Sequence, residues 1–112
     1  MQGRVGEEAG DPLMIAIAES AIDIMSYYQL NPADGLYVSI GGAMSPEQKE
    51  QLTVLLTRYP SAVVIIATDK DIDGEKYADF IRAVRPDADR AEPPIGKDWN
   101  DTLNQRQAVL AR

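Results

Sequence analysis

Short apolar runs alternate along the chain with segments in which apolar residues recur at helical spacing. The runs typical of buried strands are residues 13–18, 36–40 and 62–67, the last of which we expect to be central. The segments typical of helices are residues 20–30, 45–59, 75–85 and 98–110. The polar residues 88–91 predict a short fourth strand at an edge. Repeated strand-then-helix units predict a mostly parallel sheet of about four strands with helices on both faces, a Rossmann-like three-layer α/β sandwich.

The start of the second helix carries a clear local signal. Ser45 is a good N-cap residue, Pro46 suits the first helical position, and Gln48 completes a capping box with the serine. An apolar stripe follows at positions 52, 55, 56 and 59, which is the spacing of one helix face. We therefore expect the helix to begin at residue 46 and to pack this stripe against the sheet.

The length and the missing residue types limit the classes of function. The chain has 112 residues, which is enough for one domain. Because it has no cysteine and no histidine, it cannot form a disulfide, a thiolate nucleophile or a Ser–His–Asp triad. Chemistry must then come from carboxylates, together with a hard cation such as Mg²⁺, Mn²⁺ or Ca²⁺.

The charge balance and the apolar runs bear on partners and location. The 18 acidic and 11 basic residues give a net charge of −7, which argues against a domain that holds nucleic acid through a basic face of its own. No apolar stretch approaches the roughly 18 residues of a membrane helix, so we expect a cytoplasmic protein with no membrane partner. Residues 1–12 are polar and glycine-rich, and we expect a disordered lead-in to a single domain at residues 13–112.

Acidic residues directly follow two of the predicted strands. Glu19 follows the first strand, and the acids after the third strand are Asp69, Asp71 and Asp73. Gly74 then permits a sharp exit into the next helix. Sites in parallel sheets form beyond the carboxyl ends of the strands, and alternate acids can turn several oxygens toward one cation. The pattern predicts a divalent metal site.

Three other interpretations fit parts of residues 69–74. An EF-hand calcium loop opens with the same pattern, but it requires Glu where Phe80 stands and a helix where residues 62–67 predict a strand. A haloacid-dehalogenase-like phosphatase also places Asp-x-Asp after a strand, normally the first, with Thr or Val where Asp73 stands. A purely structural interpretation makes Asp73 the N-cap of the next helix and leaves the other two acids in solvent.

Other polar residues have both a structural and a functional interpretation. Asp23 stands three residues after Ser20, as in a capping box, and Asp98 is placed to cap the last helix. Lys70 and Lys97 are the basic residues best placed to meet a phosphate. Each of these residues is therefore a candidate for a supporting position beside the site, and each also has a purely structural or surface interpretation.

Taken in order, these motifs resemble the Toprim domain, the metal-binding catalytic module shared by topoisomerases, bacterial-type primases and some nucleases. The family pattern is a strand ending in Glu, a strand ending in glycine and a strand ending in Asp-x-Asp. The matching residues here are Glu19, the pair Gly41-Gly42 and the triplet Asp69-Lys70-Asp71. The resemblance spans roughly residues 13–103, which is most of the chain.

Finer features resemble two branches of that family. The third acid before the glycine, Asp73, is similar to the type II topoisomerase version. Residues 19–23 and 94–101 are most similar to the primase-like branch carried by plasmid mobilisation proteins and by phage and plasmid primases. Ser20 departs from the many members that have glycine after the Glu, but serine also caps a helix.

The resemblance implies a role for each acid. It assigns Asp69 and Asp71 to Mg²⁺, with Mn²⁺ as the alternative ion, and Asp73 to a further or water-mediated contact with the metal. It makes Glu19 a general acid/base or an additional ligand. The supporting positions around them are Asp23, Gly41, Gly42, Gly74 and Asp98.

The implied function is Mg²⁺-dependent phosphoryl transfer on nucleic acid within a larger primase-like or plasmid-mobilisation protein, with DNA favoured and RNA as the alternative. Because the chain lacks a basic face, we expect other domains of that protein to hold the nucleic acid and little activity from this domain alone. Two alternatives stay open. One is a non-catalytic nucleic-acid-binding or assembly module that keeps the fold, and the other is strand cleavage of the topoisomerase or nuclease type.

Overall fold

Strands and helices alternate along the chain. The computed structural model describes residues 2–6, 10–41 and 44–110. The strands of this part are β1 (Gln2–Val5), β2 (Met14–Ala18), β3 (Gly35–Ser39), β4 (Val63–Ile66) and β5 (Asp89–Arg90). Its helices are α1 (Ala21–Leu30), α2 (Pro46–Arg58), α3 (Ile72–Val84) and α4 (Trp99–Leu110). In this part of the chain, no helix is long and apolar enough to cross a membrane.

The strands form one sheet in the order β1-β3-β2-β4-β5. β2 pairs in parallel with β3 and β4, and β4 pairs in parallel with β5. β4 therefore has a partner on each side, as the apolar run at residues 62–67 predicts, although β2 is the middle strand. Ile17 lies opposite Ile66 in this register, so the carboxyl ends of β2 and β4 are neighbours.

Helices cover both faces of the sheet. One face buries Ile15 and Ile17 of β2 beneath α2 and α3. The other face buries Ala16 and Ala18 of the same strand beneath α1 and α4, where Trp99 fills the space. A strand buried on both faces has no polar position, which explains the unbroken apolar run. The predicted three-layer α/β sandwich is confirmed.

The predicted disordered lead-in is wrong for residues 2–5. This segment forms β1, which pairs antiparallel with β3 so that Gln2 lies opposite Val38 and Val5 opposite Gly35. Only Val5 in the segment is apolar, so there is no alternation that would indicate a strand. Backbone pairing at the edge of β3 orders it instead, and the sheet has five strands rather than about four.

The capping box predicted for α2 is confirmed. The Ser45 hydroxyl accepts a hydrogen bond from the N–H of Gln48, and the Gln48 side chain accepts one from the N–H of Ser45. The Gln48 amide also donates to the carbonyl of Ile40, at 2.7 Å. The first turn of α2 is thereby tied to the chain just beyond β3.

A buried arginine joins the end of α2 to the start of β4. The Arg85 guanidinium donates hydrogen bonds to the carbonyls of Leu56, Tyr59 and Ala62 at 3.3, 3.1 and 2.6 Å. It also pairs with Asp87 at 3.1 Å. The last carbonyls of a helix have no partner within the helix, so this side chain satisfies groups that burial would otherwise leave unpaired.

We expect Arg85→Met to lower the free energy of unfolding by about 2–4 kcal/mol, because several buried carbonyls lose their donor. Arg82→Met is the matched control, since Arg82 lies in the last turn of α3 just before Arg85, is more exposed and meets Asp79 only at 3.8 Å. Its loss should change stability by less than about 0.5 kcal/mol. Urea denaturation measures both variants, and similar small effects would contradict the role given to Arg85.

Candidate metal centre at the carboxyl ends of the strands

Glu19 meets Asp69 and Asp71 at the carboxyl ends of two neighbouring strands. Glu19 follows β2 directly, and its carboxylate accepts a hydrogen bond from the N–H of Asp69 at 2.7 Å. One carboxylate oxygen from each of Glu19, Asp69 and Asp71 lies within 4.8 Å of the others. The sequence predicted this convergence of residues 50 positions apart. Three carboxylates at this spacing suit a hard divalent cation.

Asp71 has two contacts, one from each carboxylate oxygen. Its Oδ1 accepts a hydrogen bond from the N–H of Gly74 at 2.7 Å, which makes Asp71 the N-cap of α3. Its Oδ2 lies 3.4 Å from the ammonium of Lys97. The interpretation of Asp73 as the N-cap is wrong, because the helix begins two residues earlier. Asp73 is exposed in the first turn and belongs to neither carboxylate group found among the described residues.

The loop between β4 and α3 is closely packed on itself. A Cβ atom at Gly74 would overlap the backbone carbonyl of Asp69. The Thr68 hydroxyl donates to the carbonyl of Gly74 at 2.9 Å and is completely buried. Glycine is therefore required at position 74 by the close approach of the backbone to Asp69.

Arg90 holds the other side of this loop, a role that the sequence did not predict. Its guanidinium donates to the carbonyls of Ile66, Thr68 and Asp69 at 3.2, 2.9 and 3.0 Å. It also forms an ion pair with Glu75 at 2.9 Å. A single arginine in a two-residue polar strand gives no sequence signal for such a role, because its three backbone partners at the end of β4 and in the loop lie more than 20 positions away.

Asp23 lies in a second group of acids beside the first. One oxygen each from Asp23, Asp69 and Asp98 lies within 4.8 Å of the others. Asp23 is buried, accepts from the Ser20 hydroxyl at 2.9 Å, and accepts from the N–H of Asn100 at 3.2 Å. Ser20 is the N-cap of α1, since its hydroxyl also accepts from the N–H of Asp23. The second bond of a capping box is replaced by the bond from the Ser20 hydroxyl to the Asp23 carboxylate. Asp23 thus links α1 to α4 as well as lying near Asp69.

The segment before α4 brings basic and acidic groups to the rim of the site. The carbonyl of Lys97 accepts a hydrogen bond from the N–H of Lys70 at 2.7 Å, so the two predicted basic residues are neighbours in the backbone. The ammonium of Lys97 faces Asp71. Asp98 accepts from the N–H of Asp101 at 2.8 Å, as expected of a residue that caps α4.

Gly41 connects the end of β3 to the same region. Its backbone has φ +81°, a left-handed conformation that favours glycine. Its N–H donates to the carbonyl of Glu19 at 2.8 Å. Gly42, the other glycine of the pair, lies outside the described residues.

Burial disfavours the ionised forms of Glu19 and Asp69. Burial raises the pKa of Asp69 to about 8, and the hydrogen bond and negative charge of Glu19 add to the shift. Burial also raises the pKa of Glu19, although the hydrogen bonds from Asp69 oppose this. Asp69 Oδ1 is buried and has no hydrogen-bond partner among the described residues. A divalent cation would use this oxygen and offset the charge, so the residues fit a metal.

The fold and this acidic centre define a class of protein. The family model described as Toprim-like matches residues 16–103. The chain belongs to the Toprim-like family, as the sequence resemblance indicated.

Two curated proteins are similar in sequence to part of the chain. The chain is 33% identical over 79 residues to recombination protein RecR of Leifsonia xyli subsp. xyli. The aligned residues cover 63% of this chain and 40% of that protein. It is 31% identical over 83 residues to RecR of Paenarthrobacter aurescens, covering 67% of this chain and 42% of that protein. The chain therefore spans about two-fifths of the length of these relatives.

A solved structure has the same fold. The small TOPRIM domain protein from Bacillus stearothermophilus superposes with a TM-score of 0.69, covering 92% of this chain and 91% of that one. The two chains are 19% identical, so the likeness establishes the fold alone.

The raised pKa of Asp69 predicts how stability without a cation depends on pH. The folded protein keeps the Asp69 proton up to about pH 8, whereas the unfolded chain loses it near the ordinary value of 3.8. The unfolded state therefore binds fewer protons between these values, and stability should fall as the pH rises from about 4 to about 8. Urea denaturation in EDTA at pH 5 and pH 8.5 measures the effect. Asp69→Asn should reduce the slope and be more stable than the wild type at pH 8.5, and an unchanged slope would contradict the assignment.

Proposed function

We propose that this chain is a Toprim domain that acts on the phosphodiesters of DNA with Mg²⁺ bound by Asp69 and Asp71, beside the catalytic carboxylate of Glu19. The observation that carries the proposal is the meeting of these carboxylates within 4.8 Å, with one buried oxygen of Asp69 unpaired among the described residues. Mn²⁺ suits the same oxygen ligands and is the alternative ion. We place the domain in the cytoplasm as part of a larger DNA-processing protein.

The charges of the site suit a phosphate substrate only when a cation is present. Mg²⁺, when bound, supplies the positive charge that lets a polyanion approach the acids and that stabilises phosphoryl transfer. Lys97 is then free to leave Asp71 for a phosphate oxygen, and Lys70 lies beside it in the backbone. We assign Asp73, which is exposed, to a water-mediated contact with the metal.

Glu19 is the residue that we assign to proton transfer. Burial raises its pKa, which brings a carboxylate closer to the range in which it can both accept and return a proton. Its carboxylate is also held in place by the N–H of Asp69. Glu19 can therefore act on a substrate from a fixed position at the end of β2.

Two versions of the proposal differ in the process that the domain serves. The similarity of residues 19–23 and 94–101 to primase-like proteins favours catalysis in priming or plasmid mobilisation. The names of the curated relatives favour a process of recombination. The second candidate function is a non-catalytic DNA-binding or assembly module. Strand cleavage by a tyrosine is less favoured, because all five tyrosines of the chain are packed into or against the hydrophobic core on the two faces of the sheet.

Cation binding tests the metal assignment. We expect the wild type to bind Mg²⁺ and Mn²⁺, and the double variant Asp69→Ala/Asp71→Ala to lose at least about 100-fold in affinity, since even groups that only support a ligand contribute about 10–100-fold. Isothermal calorimetry measures both. Asp79→Asn, which removes an exposed acid from α3, is the control and should bind as the wild type does. Equal binding by the double variant and the wild type would reject the site.

The variant Glu19→Gln separates catalysis from binding. It should keep most of the Mg²⁺ affinity but lower primer synthesis, nicking or cleavage by the full-length protein by about 10²–10⁴-fold, because the proton-transfer group is lost. Glu50→Gln, at an exposed position in α2, is the control. Unchanged activity in the Glu19 variant would reject its catalytic role. No activity in the wild type, together with cation binding, would favour the non-catalytic module.

A further inference from the structure

Arg85 and Arg90 hold the two ends of strand β4 in the same chemical manner. Arg85 binds three backbone carbonyls around the start of the strand and pairs with Asp87. Arg90 binds three carbonyls at and beyond its end and pairs with Glu75. Both side chains are nearly buried, with 9% and 10% of their surface exposed. They differ in position, because only Arg90 contacts the loop that carries the candidate metal ligands.

Contacts fix the backbone on both sides of Asp69. Its N–H donates to Glu19 at 2.7 Å, and its carbonyl accepts from Arg90 at 3.0 Å. Gly74 packs directly against the same carbonyl. With the peptide groups before and after Asp69 held in this way, the direction of its Cα–Cβ bond, and so the approach of its carboxylate to Glu19, is set by the backbone.

The contacts of Arg90 require a side chain that can reach two carbonyls and a carboxylate at the same time. Arg90 reaches Thr68 with one terminal nitrogen and Asp69 with the other, while the second nitrogen also meets Glu75 on α3. The rigid planar fork of a guanidinium can hold these groups at the same time, whereas a lysine ammonium offers a single point of charge. Glu75 in turn anchors the fork to the first turn of α3, the helix that Asp71 caps.

We propose that Arg90 is a positioning residue for the metal centre. Its hydrogen bond to the carbonyl of Asp69 fixes that part of the backbone and thereby sets the cation affinity. The inference rests on the proposed function, since it takes Asp69 and Asp71 as cation ligands. Arg90 touches neither cation nor substrate in this scheme. Its effect passes through the backbone of the loop, with Glu75 as the partner that holds the guanidinium in place.

The matched pair of arginines separates positioning from simple stabilisation. Arg90→Lys should weaken Mg²⁺ and Mn²⁺ binding by about 10–100-fold, the usual effect of losing a group that orients a metal ligand. Arg85→Lys removes an equivalent set of hydrogen bonds at the far end of β4 and should leave cation affinity within about twofold of the wild type. Calorimetry below the unfolding temperature of each variant gives the affinities, and urea denaturation gives their stabilities.

The outcomes distinguish this inference from the proposed function. If the wild type binds neither Mg²⁺ nor Mn²⁺, the proposed function fails and the inference fails with it. If the wild type binds and Arg90→Lys binds equally well, or if both lysine variants lose affinity in proportion to their lost stability, only the role of Arg90 is rejected. Weaker binding by Arg90→Lys, with stability no lower than that of Arg85→Lys, is the result that we expect.

A second pair of variants covers the case in which Arg90→Lys does not fold. Glu75→Gln and Asp79→Asn each remove one negative charge from the exposed side of α3, but only Glu75 contacts Arg90. Glu75→Gln should lower cation affinity several-fold more than Asp79→Asn does, and amide NMR shifts at residues 69–74 should change only in the Glu75 variant. Equal effects from the two substitutions would show that charge alone matters and would overturn the proposal.

Discussion

The hydrogen bond between the N–H of Asp69 and the carboxylate of Glu19 joins the ends of the two neighbouring parallel strands on which the candidate site is built. Its atoms lie 2.7 Å apart, although the residues are 50 positions apart in the chain. The bond satisfies a backbone donor just beyond β4, where the sheet no longer does so. It also holds two carboxyl groups together in a partly buried place. Burial raises the pKa of both, although the hydrogen bonds from Asp69 oppose the rise at Glu19. The loops that follow β2 and β4 therefore meet at two carboxyl groups whose ionised forms burial disfavours.

Membership of the Toprim-like family explains where the acids lie, whereas function depends on what surrounds them. A solved relative with 19% identity keeps the fold over most of both chains. The curated relatives are matched over only 40% and 42% of their length. Within this chain, the groups that surround the acidic centre come from α1, β5 and the segment before α4. These include Asp23, Arg90 and Lys97, each of which lies beside Asp69 or Asp71.

The sequence predicted correctly those features that depend on residues close together in the chain or on the geometry of parallel sheets. The capping box of Ser45 and Gln48 is complete within four positions, and the meeting of Glu19 with Asp69 follows from the adjacency of parallel strand ends. It failed to choose the N-cap among the alternate acids after β4, because each of them can cap a helix. The close packing of the α3 start against the backbone of Asp69 decides that the helix begins after Asp71.

The sequence by itself determined the central strands, the helices and the acids that end β2 and β4, because hydrophobic period and capping act over a few neighbouring positions. Only the tertiary structure decided that residues 2–5 join the sheet and that Arg90 donates a hydrogen bond to the carbonyl of Asp69. Both features depend on hydrogen bonds to backbone groups far away in the chain. Because every non-proline residue carries the same N–H and C=O groups, the amino-acid sequence does not indicate which backbone groups will become these partners.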